Sequence, residues 1–229
     1  DGFWFMCRTM LTLLPIVGLV GSNNLSTAII ILGIGVILIF AASPRYIQFA
    51  ALGGAGIGFI AIFLAAESYR LERLAIWREP EKYEKGFQTI QGLYAIGSGG
   101  LFGRGIGNSI QKLGFVPEAQ NDMIFSIICE EMGLTGAIIL ILIFALLLWR
   151  LCVISMNCQE LSGAMIAAGI MGHLAIQVIL NIAVVTNTIP NTGITLPFIS
   201  YGGTSIVFLL GEMGLALNVS RQKNNPPTR

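Results

Sequence analysis

Six long apolar runs dominate this chain and leave it few ways to fold. They lie at Phe3–Val20, Leu25–Ala42, Tyr46–Ala66, Met123–Leu148, Gly163–Thr186 and Leu196–Val219. A helix needs about 20 mainly apolar residues to cross a bilayer, so each run is a candidate span. Charged residues make up only 11% of the 229 positions, against roughly 25% in soluble domains. The expected fold is all-α: a polytopic transmembrane helical bundle forming a single integral membrane domain over residues 1–229. The first run is the least regular, interrupted by Arg8 and Pro15. The third carries Gly53, Gly54, Gly56 and Gly58, a small-residue face that admits a neighbouring helix closely.

Charge sets the orientation. With six spans, Arg8, Arg45, Arg150, Arg221, Lys223 and Arg229 fall on one side, and the short turns opposite carry no Lys or Arg. By the positive-inside rule that side, with both termini, is cytoplasmic. The long segment from Glu67 to Asn121 then faces outward. Its seven basic residues are nearly balanced by six glutamates, and long loops are weak topology signals. A net charge of +1 excludes a nucleic-acid partner. The start, Asp1-Gly2, has no charged leader and reads as a fragment of a longer chain rather than a secretory signal. Cys7, Cys129, Cys152 and Cys158 form no CxxC pair, and neither a disulfide framework nor a zinc site is expected. The polar tail after Ser220 is expected to be disordered.

A connection of this length is uncommon and usually functional, and the loop at approximately 67–121 is not featureless. Leu71, Leu74 and Trp77, then Phe87, Ile90 and Tyr94, recur at helical spacing, which predicts short amphipathic helices at the membrane surface. The stretch GSGGLFGRGIGNSIQK (97–112) combines glycines with Arg104 and Lys112, a combination able to cradle phosphate. It lacks the third glycine of a dinucleotide fingerprint and the Gly-Lys of a P-loop; a plain flexible turn is the alternative. Ser109-Ile-Gln-Lys112 matches S-x-x-K, but its companion motifs are absent, so serine acylation is not expected.

Asp122 is the only aspartate besides Asp1. Two readings are open for it: a residue in the first turn of a membrane helix, favoured by the helix dipole, or a chemical group made basic by partial burial. Glu130 and Glu131 lie within an apolar run, and pairing with another span is the expectation there. His173 stands alone in its span and reads as a hydrogen-bonded structural residue. Ser200-Tyr-Gly-Gly203, close to Pro190 and Pro197, reads as a sharp re-entry that could floor a binding site.

Residues 86–137 (GFQTIQGLYAIGSGGLFGRGIGNSIQKLGFVPEAQNDMIFSIICEEMGLTGA) and 192–221 (TGITLPFISYGGTSIVFLLGEMGLALNVSR) together resemble the SEDS family (shape, elongation, division and sporulation), the FtsW/RodA/SpoVE glycosyltransferases of peptidoglycan. The YAIGSGG and PEAQND wording is nearer the division and sporulation branch. Family members have about ten spans, so the first three or four are expected to be missing here. Met123 stands where the family has Phe, and Glu79 where it often has Asp.

The resemblance implies an enzyme that polymerises lipid II, the undecaprenyl-pyrophosphate-linked disaccharide precursor, at the outer face of the bacterial cytoplasmic membrane. It implies catalysis by Asp122, the aspartate of the Pro-Glu-x-x-x-Asp segment, as base for the acceptor hydroxyl. Arg104 and Lys112 are then expected on the donor pyrophosphate, with Gln88, Gln91, Asn108, Gln111 and Glu118 lining the site. No metal-ligand set is assigned, although a divalent cation, magnesium or manganese, is left open. The partners implied are a class B penicillin-binding protein, other division proteins and membrane lipid. The residue inventory suits the chemistry: transfer from pyrophosphate needs a base and cations, and inversion needs no covalent nucleophile. A lipid-linked precursor transporter and a non-catalytic division scaffold are the rival readings.

Overall fold

The computed structural model describes residues 2–42, 54 and 68–222. Most of the third expected span and residues 223–229 of the tail lie outside the described residues. Every regular element among those described is helical: α1 (Gly2–Asn23), α2 (Leu25–Ala42), α3 (Ser68–Arg78), α4 (Phe87–Gly99), α5 (Ile124–Asn157), α6 (Leu161–Val185) and α7 (Gly203–Gln222), with 3-10 turns at Pro80–Lys82, Glu84–Gly86 and Gln111–Leu113. Among the described residues four helices are long and apolar enough to cross a membrane: Leu25–Ala42, Ile124–Asn157, Leu161–Val185 and Gly203–Arg221.

Two expectations shift. The first run is realised as α1, helical through Pro15, but its apolar stretch is the shorter Leu11–Ser22. The last span begins at Gly203 rather than Leu196. Pro197 supplies no backbone donor, and Phe198 takes a positive φ of 63°. The Leu196 amide donates to Ser200 Oγ at 2.7 Å, so residues 196–202 form a turn ahead of the helix.

The chain divides into two compact units. The first comprises Asp1–Phe63, Leu147–Ile176 and Phe208–Arg229. Small residues set its helix approach: a Cβ on Gly35 would meet Leu13, one on Gly172 would meet Ile37, and one on Gly163 would meet Val219. Val17, Ala28, Ala167 and Leu174 are fully buried. His173 on α6 meets the Glu212 carboxylate on α7 at 2.9 Å, a polar pairing of the kind expected inside a bundle.

The second unit, Leu64–Leu146 with Gln177–Val207, carries the candidate site. Its core joins Val116, Met123, Phe125, Ile127 and Phe144 to Val178, Val185 and Leu196. The helices expected in the long loop are present as α3 and α4, and α4 packs on the protein through its small residues. Phe87 and Tyr94 are exposed, whereas Gly92, Ala95 and Gly99 are buried. A Cβ on Gly92 would strike the Met123 side chain, and one on Gly99 the Cys129 carbonyl. Close backbone approach through small residues outweighs burial of the larger side chains.

Helix α5 is interrupted at Gly133 (φ 67°, ψ −166°). Residues 100–105 are fitted into the break. Arg104 N and Gly105 N donate to the Glu130 and Glu131 carbonyls, both at 2.9 Å, while Leu134 N and Thr135 N donate to the Gly100 and Leu101 carbonyls at 2.9 and 3.1 Å. The amides released by the break are thereby satisfied, as a buried backbone requires. Cβ atoms on Gly103 or Gly133 would collide with the opposing backbone.

Candidate active site around Asp122

Asp122 sits in a turn, two residues ahead of α5 rather than inside its first turn. Glu118, at a φ of 55°, accepts from the amides of Asn121 (2.9 Å) and Met123 (3.4 Å), and its carboxylate accepts from the Asn121 side chain. Three links fasten this turn to residues 191–201. Asn181 Nδ2 donates to both the Asp122 carbonyl (2.8 Å) and the Ile194 carbonyl (2.7 Å). Ser200 Oγ donates to the Asn121 carbonyl at 2.7 Å, and Tyr201 N to the Gln120 carbonyl at 2.8 Å. Below it, Met123 and Phe125 are buried. The aspartate is held from behind on several sides.

In front of it lies a cavity of about 320 Å³. One wall comes from α3, with Arg73, Ile76 and Trp77; another from Lys85, Gln88 and Thr89; a third from Asn187, Asn191, Thr192 and Gly193. Hydrogen bonds tie these walls together. Trp77 Nε1 donates to the Asn187 carbonyl at 2.9 Å, Arg73 Nη1 to the Asn191 carbonyl at 3.3 Å, and Asn191 Nδ2 to Gln88 Oε1 at 3.2 Å. Asn187 holds a φ of 55°, a conformation that asparagine tolerates better than most residues. Lys85 pairs with Glu72 at 2.9 Å on the exposed rim.

From side chains the Asp122 carboxylate accepts one long bond, 3.4 Å from Gln88 Nε2, beside the backbone amides of Asp122 and Met123, and the residue is 7% exposed. Burial raises its pKa above the ordinary carboxylate value, and the nearby Glu118 charge adds to the effect. Backbone hydrogen bonds and Gln88 pull the other way without overcoming it. A desolvated carboxylate with few donors is a stronger base than one in water.

Of the residues expected at the site, the cavity brings together Asp122 and Gln88. Glu118 shapes the turn. Arg104, Asn108, Gln111 and Lys112 belong to a separate cluster. Glu130, fully buried, accepts from Ser109 Oγ (2.5 Å), Ile110 N (3.2 Å) and Gln111 N (3.2 Å), with Arg104 Nη1 3.8 Å away. Glu131 accepts from Lys112 Nζ at 2.6 Å and from Ser109 N at 3.3 Å. Asn108 Nδ2 caps the Arg104 carbonyl. The glycine-rich loop thus cradles two carboxylates of its own chain, and the glutamates pair with this loop rather than with another span. Gln91, half-buried on α4, lines no wall of this cavity. Ser200 and Tyr201 support the aspartate's turn from behind instead of flooring the cavity.

Sequence reasoning passed over Arg73, Trp77, Lys85, Asn187, Asn191 and the clamp Asn181. A signal existed for the asparagines: Asn181 interrupts an apolar run, and Asn187 and Asn191 crowd the turn that ends it. For Arg73 and Lys85 there was none, since cations are ordinary on exposed helices. Among the described residues no three His, Cys, Asp or Glu side chains gather as a metal-ligand set.

Residues 3–225 match the family of cell cycle proteins FtsW, RodA and SpoVE. The chain is 45% identical over 201 residues to the stage V sporulation protein E of Bacillus subtilis (strain 168), covering 86% of this chain and 55% of that protein. It is 37% identical over 214 residues to a probable peptidoglycan glycosyltransferase FtsW of Trichlorobacter lovleyi, covering 92% and 56%. It thus spans about half the length of these curated relatives. Among solved structures, a chain of a peptidoglycan synthase complex that coordinates polymerization and crosslinking aligns over 95% of this chain and 62% of its own, with a TM-score of 0.74 and 28% identity. The rod shape determining protein RodA of Thermus thermophilus aligns over 96% and 57%, with a TM-score of 0.64 and 28% identity.

Proposed function

The chain belongs to the FtsW/RodA/SpoVE family of multi-pass membrane proteins, and from that premise we propose that it forms the catalytic part of a peptidoglycan glycosyltransferase that polymerises lipid II. One observation carries the reading: a buried, desolvated Asp122 carboxylate at the wall of a polar cavity that also holds Arg73 and Lys85. Asp122 takes the proton from the acceptor sugar hydroxyl as its oxygen attacks the donor's anomeric carbon. The bond to pyrophosphate breaks, and the departing charge is met by cations. Arg73 and Lys85 suit that task by position, since they line the cavity with Asp122, whereas Arg104 and Lys112 lie in the separate cluster around Glu130 and Glu131. Lys85 is held only by an exposed ion pair, which is worth little and is readily exchanged for a ligand phosphate. Gln88 and Asn191 orient the carboxylate and offer hydrogen bonds to sugar hydroxyls.

The reaction lies at the outer face of the cytoplasmic membrane, with the termini of this chain cytoplasmic. The division and sporulation branch is supported by the 45% identity to the sporulation protein. A class B penicillin-binding protein is the expected partner, in keeping with a structural relative that belongs to a synthase complex. Polymerisation of fluorescent lipid II by the full-length protein, with and without Asp122→Ala, tests the reading. Glycan strands from the unaltered protein and none from the variant are expected. Translocated but unpolymerised lipid from the unaltered protein would transfer the assignment to a transporter.

A further inference from the structure

Outside the catalytic cavity, the strongest unexplained feature is the loop between α4 and the Asp122 turn. Leu101, Phe102, Ile106, Ile110, Leu113 and Phe115 are all exposed, Phe102 and Ile106 at 81% each. The polar groups of the same loop are paired within the chain, with Ser109 buried and Arg104 and Lys112 partly exposed. Lys112 and Arg104 meet Glu131 and Glu130, Ser109 Oγ meets Glu130, and Lys112 Nζ also donates to the Gly107 carbonyl at 2.8 Å. A loop made for water has the opposite arrangement.

The loop's height on α5 says what covers it. Between Glu131 and Arg150, α5 is uncharged; past its break at Gly133 the helix runs from Leu134 to Trp149, about 24 Å at roughly 1.5 Å per residue, which approaches a hydrocarbon core of ~30 Å. Trp149 is exposed beside Arg150, as an interfacial anchor would be. The opposite boundary therefore falls at Glu130–Met132. The backbone of residues 100–105 is bonded to residues 130–135, which puts the loop at that boundary. Its two cations and two carboxylates neutralise each other, and its amides at 103, 104, 105, 109, 110, 111 and 112 all have protein acceptors. Both features lower the cost of entering lipid.

We propose that residues 101–113 form a membrane-inserted loop, with Leu101, Phe102, Ile106 and Leu113 placed among phospholipid chains at the hydrocarbon boundary on the catalytic side. The loop would fix the depth of the Asp122 turn, to which it is joined through Val116, buried in the core. Photo-crosslinking tests this directly. Benzoylphenylalanine replaces Phe102 or Ile106 in the protein, reconstituted into phosphatidylethanolamine–phosphatidylglycerol vesicles carrying radiolabelled phosphatidylethanolamine. Phe208, 75% exposed on a spanning helix, is the lipid-facing control; Lys82, on the exposed turn beyond α3, is the aqueous one. Lipid label at 102 and 106 within about twofold of that at 208, and several times that at 82, is expected. Label at the level of position 82 would overturn the proposal, and so would crosslinks to protein in place of lipid.

Discussion

Two places in the second unit bring carboxylates and cations together, and they differ in how far the carboxylates are satisfied. Glu130 accepts three hydrogen bonds and lies beside Arg104; Glu131 accepts from Lys112 and a backbone amide. Asp122 accepts one side-chain bond, at 3.4 Å, and lies beside its own amide and that of Met123, but among the described residues no cation pairs with it and burial still raises its pKa. A satisfied carboxylate holds structure, because its donors would be orphaned by its loss. One that is desolvated, without a paired cation and facing a cavity, retains the basicity that proton transfer needs. The family resemblance implied the base at Asp122 and the pyrophosphate at Arg104 and Lys112; the structure puts those two cations in a different cluster from Asp122.

The largest test of this contrast is Asp122→Asn, which keeps the size and removes the basicity. Turnover of lipid II should fall by about 10²–10⁴-fold, the range for a general base, while the thermal unfolding midpoint in detergent does not drop. Retained polymerisation would dissolve the distinction. Glu130→Ala should act in reverse. Three donors and a guanidinium lose a buried acceptor, costing about 3–5 kcal/mol, which differential scanning fluorimetry would register as a lowered midpoint.

The cations offer a narrower comparison. Arg73→Ala should raise KM for lipid II or lower kcat/KM by about tenfold or more, consistent with the ~1.5–3 kcal/mol of a charged hydrogen bond. Arg104→Ala should leave KM close to its original value and shift only the melting midpoint. An equal KM effect at both positions would restore the glycine-rich loop as a substrate site.

The pH dependence is the smallest effect. Because the Asp122 pKa is raised in the folded protein, the acidic limb of kcat/KM should lie above the ordinary value of 3.8. For stability the sign is opposite to that of a salt-bridged carboxylate. In the window between the ordinary and raised values the folded state holds more protons than the unfolded one, so stability falls as pH rises through it. Asp122→Asn should remove that fall, leaving a variant slightly more stable than the unaltered protein at neutral pH.

Much of this was legible in the residues. Leu25–Ala42 is helical over the same bounds, and Asp122 stood out as the one internal aspartate beside an apolar run. In α4 periodicity marks where the large apolar residues lie, and it does not show that Gly92, Ala95 and Gly99 are where another backbone comes close. The break at Gly133 was illegible for a related reason: a glycine inside an apolar run looks like any other small residue until the loop that fills the gap is known.

By itself the sequence determined that the chain must cross a membrane as helices, since apolar length and backbone satisfaction are local properties. It also determined that one aspartate stood apart from the glutamates. Only the tertiary structure decided which cations share a cavity with it. Arg73 bonds to Asn191, Trp77 to Asn187 and Asn181 to Asp122 across separations of 118, 110 and 59 residues. Helical spacing relates residues three or four apart, and it carries no information over such distances.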